Sequence, residues 1–133
     1  MMPVCALALL LTSCLSHEQI SKLDSQYKIA ASIACEGVFL AEFARGGHST
    51  ASYTRGHAQF LASRSEEFLS DLNKLEVRAE DQRKLQELRT LAAKLEELTT
   101  AFPTEQAQAS ELGTFHEQFA TIFQAVERLR GRA

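Results

Sequence analysis

The chain has 133 residues, 45% of them hydrophobic and 23% charged, enough for one core and too apolar for a disordered chain. A formal net charge of -3 leaves no global basic footprint, which argues against a nucleic-acid partner. Two prolines, six glycines and long runs of Ala, Leu, Glu, Gln, Lys and Arg, with almost no alternation of β-branched residues, define an all-α chain.

The first element in chain order is VCALALLL, residues 4–11, an uncharged apolar run. It is far shorter than the roughly 20 residues of a membrane-spanning helix and matches the hydrophobic region of a signal peptide, about 7–15 residues. Leu11-Thr12-Ser13-Cys14 follows: an aliphatic residue, two small residues and a cysteine. This motif resembles the lipobox of bacterial lipoproteins, although the opening Met1-Met2-Pro3 lacks the Lys or Arg with which such leaders usually begin. The resemblance covers only residues 4–14. It implies that residues 1–13 are a cleaved leader, that Cys14 carries acyl chains such as palmitate, and that residues 14–133 form a membrane-tethered domain. Leu15 stands where an aspartate would mark inner-membrane retention, so the resemblance implies the outer membrane, facing the periplasm. The alternative is a cytoplasmic helical protein whose first helix includes residues 4–15, since Pro3 is tolerated in a first turn.

Ser16-His17-Glu18-Gln19 fits a capping box, placing a helix start beside the lipobox. With Cys5 in the leader and Cys14 acylated, Cys35 is the sole remaining thiol, so no internal disulfide forms. Its apolar neighbours predict a small buried hydrophobe.

Breaks follow at Arg45-Gly46-Gly47-His48, with Ser49 or Thr50 as a new N-cap, and at Phe102-Pro103-Thr104. A third break lies between Leu75 and Asp81, where the apolar phase is lost and Glu80 and Asp81 suit a first helical turn. The predicted helices are 17–45, 50–76, 79–101 and 104–130. Their stripes are Leu23, Tyr27, Ala30, Ala34 and Val38; Phe60, Leu61, Phe68 and Leu72; Leu88, Leu91, Leu95 and Leu98; and Leu112, Phe115, Phe119 and Ile122. Similar lengths and short connections predict an up-and-down antiparallel four-helix bundle. Fusion of the middle helices would instead give a hairpin that needs a second copy to cover its stripe.

In such a bundle the loops at Gly46, Gly47 and His48 and at Phe102 and Pro103 share the end far from the lipid and are the candidate partner-facing loops. Arg128, Arg130 and Arg132 fall near the membrane end, as headgroup contacts, as complements to the helix dipole or as simply solvated charges. None of His17, His48, His57 and His116 has an acid three residues before it, and HExxH and CxxCH motifs are absent, so no metal, haem or other cofactor is expected. Glu36 interrupts the apolar stretch of the first helix at about the depth of His57, with Arg64 two turns further on. A buried carboxylate needs a partner, so Glu36, His57 and Arg64 are a candidate buried polar set, structural rather than catalytic. No nucleophile elbow or phosphate loop occurs, and the expected role is non-enzymatic protein binding in the envelope. A second reading has Phe39, Phe43, Phe60, Phe115 and Phe119 lining a site for a small apolar ligand.

Overall fold

The computed structural model describes residues 4–105 and 107–131, with side-chain surroundings from Lys22 onward. The lipobox, Cys14, the Ser16 capping box and His17 therefore lie outside the residues whose side chains are described. Among the described residues four helices make up the fold: α1 (Val4–Arg45), α2 (Ala51–Lys74), α3 (Gln82–Ala101) and α4 (Ala109–Arg130), with one 3-10 turn at Ala79–Asp81. The backbone of α1 is helical from Val4. A run of Ala and Leu favours helix in a leader and in a core alike, so this start bears on neither reading.

Each junction has a local cause. At the end of α1, Gly47 takes φ 73°, a left-handed conformation that glycine adopts without penalty. The amides of Gly46 and His48 then close onto the carbonyls of Glu42 and Phe43 at 3.0 and 3.3 Å. Thr50 caps α2 by accepting from the Tyr53 amide at 3.1 Å, as the sequence predicts. The break after α2 contains no Gly or Pro; Arg89 holds it from α3, its guanidinium donating to the carbonyls of Leu72 at 3.0 Å and Leu75 at 3.1 Å. Arg78 pairs with Glu80 at 2.9 Å and Asp81 at 3.3 Å across the following turn.

Helix α4 starts at Ala109, later than the expected 104. Phe102 is turned into the core, its ring 5.2 Å from Phe115, so the chain after Pro103 must cross the end of the bundle before it can resume a helix. The left-handed Gly131 closes α4, its amide bonding the Arg128 carbonyl at 3.0 Å.

The four helices form an up-and-down bundle in which α1 packs most extensively on α4 and α2 on α3, while α2 and α4 sit at opposite corners. The α1–α4 seam is close because α1 presents Ala30, Ala34, Gly37 and Ala41, and Phe119 packs directly over Gly37. Ile33, Leu40, Leu61, Leu88, Leu95 and Val126 are fully buried between the helices, each burial worth roughly 1.5–3 kcal/mol. At the end nearer the N-terminus, Arg130 reaches across to Asp24 at 3.0 Å.

Two sequence expectations change here. Cys35 is exposed rather than buried, because the small-residue stripe rotates it outward. Phe60 is exposed as well; it belongs to the flank of its stripe, and Ala58, Leu61 and Ser65 occupy the interior. Of the arginines near the end of α4, Arg130 is only 8% exposed in its side chain and is held by Asp24 and Glu127, Arg128 is exposed, and Arg132 lies outside the described residues.

Candidate functional site

Two features stand out from the packed interior. The first lies along the seam between α1 and α2, where the helices meet less extensively than α1 and α4 do. Glu36 and Arg64 form a direct ion pair, half-buried on both sides. Ser32 completes the group: its hydroxyl donates to Glu36 at 3.2 Å, and Arg64 donates to it at 3.2 Å. His57 Nε2 stands 3.7 Å from the other Glu36 oxygen, close enough to join the pair when the imidazole is protonated. The structure thus brings Glu36, His57 and Arg64 together. Ser32 was missing from the sequence reading, though it sits one turn before Glu36 on the same face.

Above this cluster runs a ladder of rings. Phe39 stacks on Phe43 at 5.6 Å, Phe43 meets Tyr53 edge-on at 5.9 Å, Tyr53 meets His57 at 5.6 Å, and His57 meets Phe60 at 6.4 Å. Tyr53 also bonds His57 Nδ1 through its hydroxyl, at 3.3 Å. Phe39, Tyr53 and Phe60 are 53%, 46% and 58% exposed, and they are the large hydrophobic side chains that face solvent among the described residues. Aromatic surface grouped in this way, rather than scattered singly, marks an interaction face.

The second feature is at the end of the bundle far from Asp24 and Arg130. The loop after α1 and the loop after α3 converge there on a cleft of about 370 Å³, lined by Gly47, Ser49 and Thr54 on one side and Pro103, Thr104 and Leu112 on the other. Ser49 and Thr54 bond each other through their hydroxyls. His48 is exposed beside the cleft and packs 5.8 Å from Phe43, so it joins the ring ladder instead of lining the cleft. Of the predicted loop residues, Gly47 and Pro103 meet in the cleft, Gly46 belongs to the α1 terminus, and Phe102 is in the core.

The five phenylalanines proposed to enclose a ligand do not converge. Phe39 and Phe60 point outward, Phe43 lies in the α1–α2 seam, and Phe115 and Phe119 pack on Phe102 inside the bundle. His57 and His116 are on helices that do not touch, and among the described residues no group of three His, Cys, Asp or Glu could hold a metal ion.

Two titrations are displaced at the opposite end. Burial pushes the Tyr27 hydroxyl up to about 12, with the charges of Asp81, Glu87 and Asp24 adding to the shift. The hydrogen bond from Arg130, and then that from Lys28, holds Asp24 below the usual carboxylate range.

The class that these observations define is an all-α four-helix bundle with an open aromatic face. Comparison with protein-family models, curated proteins and solved structures finds no match.

Proposed function

We propose that the chain is a lipid-anchored bacterial envelope protein, tethered through Cys14 to the outer membrane on its periplasmic side, whose helical bundle binds another protein without catalysing a reaction. The observation that carries the binding role is the convergence of the loop after α1, through Gly47 and Ser49, and the loop after α3, through Pro103 and Thr104, on one cleft at the end of the bundle opposite the tether. A short tether at one end leaves the other as the natural meeting point for a partner. Support for the tether comes from the order of apolar run, small residues and cysteine in residues 4–14. Among the described residues no helix is long and apolar enough to cross a membrane, so attachment through acyl chains is the route this reading uses.

Metabolic labelling with palmitate, together with mass spectrometry of the N-terminus, tests it. The expected result is a labelled chain beginning at Cys14 and an unlabelled Cys14→Ala variant. A wild-type chain that retains residues 1–13 and carries no acyl group refutes the tether and favours the cytoplasmic alternative.

A further inference from the structure

We infer that the aromatic face between α1 and α2 is the docking surface for a second copy of this chain, arranged in parallel about a two-fold axis that runs along the bundle. The inference goes beyond the cleft and rests on the lipid-anchor reading for two points, the direction of the axis and the high local concentration: two chains tethered to one membrane meet side by side with the same ends down.

Area is the first argument. At 53%, 46% and 58% exposure, Phe39, Tyr53 and Phe60 present together about 300 Å² of aromatic surface. A stable interface covers about 800 Å² per partner, with a dry centre and a polar rim. The rings supply such a centre, and exposed Cys35, Glu42, Ser63 and Glu67 surround it. An interface of this size is weak between freely diffusing chains. It is populated when both are held on one surface, because tethering raises the effective concentration.

Charge is the second. On α1, Lys28, Cys35, Phe39 and Glu42 share one exposed stripe; on α2, Phe60, Glu67 and Asp71 share another. The bond between Arg64 and Ser32 fixes the register of the two helices, so that Lys28, one turn below Ser32, is level with Glu67 and Asp71. A two-fold axis along the bundle sets α1 of one copy against α2 of the other at equal height. Lys28, 63% exposed and 3.2 Å from Asp24 on its own helix, then also faces the acids of the second copy while Phe39 faces its Phe60. An antiparallel pairing would lose this match and would point the tethers in opposite directions. The symmetric contact is isologous and closed, so it stops at a dimer.

The test uses the full chain on phosphatidylethanolamine–phosphatidylglycerol vesicles, with a flexible bis-maleimide that couples Cys35 to Cys35 and a Cys35→Ser control. Covalent dimer is expected for the wild type, with a decrease of about tenfold or more in Phe39→Asp and in Phe60→Asp. Both positions are exposed, so neither change threatens the fold. Lys28→Glu is expected to lower the yield, and Glu67→Lys with Asp71→Lys in the same chain to restore it. An unchanged yield in both aspartate variants, or no wild-type dimer at all, overturns the inference. Sedimentation of the unlipidated Cys14→Ala chain separates the two proposals. Concentration-dependent dimer that requires Phe39 and Phe60 supports this face even if acylation fails, whereas a chain that is acylated but never dimeric keeps the anchor and removes the dimer.

Discussion

Replacing Gly37 by Ala sets two effects of known size against each other. In an isolated helix the change is favourable by about 1 kcal/mol, since glycine loses the most backbone freedom on folding. Here a Cβ at position 37 would stand 2.4 Å from Cδ1 of Phe119 and 2.6 Å from both Cε1 and Cγ. Those distances are roughly 1 Å or more below the ~3.5–4.0 Å of an optimal carbon contact. The ring has little room to retreat: Phe119 is 1% exposed and lies 6.5 Å from the Phe102 ring. Overpacking of this kind costs about 1–3 kcal/mol, and the severity of the approach puts the cost in the upper part of that range. The net expectation is a loss of about 1–2 kcal/mol.

Equilibrium urea unfolding measures this as a lower midpoint with an unchanged slope. A companion cycle isolates the cause. Phe119→Leu in the Gly37→Ala chain should cost less than the two separate changes together, by at least about 0.5 kcal/mol. If Gly37→Ala is as stable as the wild type, the close approach of α1 and α4 at this position is wrong. If the two changes simply add, the ring of Phe119 is not what the new methyl meets.

The buried Tyr27 hydroxyl has no hydrogen-bond partner among the described residues, so Tyr27→Phe should leave neutral-pH stability unchanged or raise it by up to about 1–3 kcal/mol. The same variant tests the shifted titration. Above 10.0 the unfolded chain releases its proton while the folded one holds it until about 12, so wild-type stability falls over that window, by up to roughly 3 kcal/mol, and the variant lacks this part of the fall. Parallel stability curves for the two proteins between pH 9 and about 12 would contradict it. Arg89→Met should destabilise the bundle by about 1–3 kcal/mol in thermal unfolding, because two carbonyls at the end of α2 lose a charged donor. Glu36→Gln should cost only about 1 kcal/mol by the same measurement, since the pair with Arg64 is a third exposed and partly screened; a loss several times larger would mean that water does not reach the seam.

Helix number, order and pairing were legible in the sequence because they follow from strong local signals: Gly46-Gly47, Phe102-Pro103, and the phase loss after Leu75. The polar set at Glu36 was legible for a related reason, since a carboxylate in an apolar run needs a partner, and helical rise alone put His57 and Arg64 within reach. Cys35 and Phe60 were misread from the same cause. Apolar neighbours on both sides suggest burial, yet which side of α1 or α2 faces inward depends on the angle at which its partners approach. For α1 that angle depends on Gly37 against Phe119, a contact between residues 82 positions apart that no local pattern encodes. Ser65 and Thr99 carry no local signal of burial, being small polar residues beside the apolar stripes. Both are buried, and Thr99 is accommodated by donating to the Leu95 carbonyl at 2.8 Å.

One helix therefore carries two seams of opposite character. Ala30, Ala34, Gly37 and Ala41 face α4 with almost no side chain, and the backbones approach closely enough to exclude water. A fraction of a turn away, Ser32, Glu36, Phe39 and Phe43 face the α2 side with charge and rings, and there the seam stays open. Tight packing of α1 on α4 draws the small stripe inward, which rotates Cys35 and Phe39 out to the surface and leaves Phe60 without a cover from α1. Filling the α1–α2 seam with larger apolar residues would bury Phe60 but would also pull α1 off Phe119, and the α1–α4 seam is the more extensive of the two. The exposed aromatic face is thus a geometric consequence of how the bundle closes on its other side, and its rings remain free for contact as long as Gly37 keeps α1 where it is.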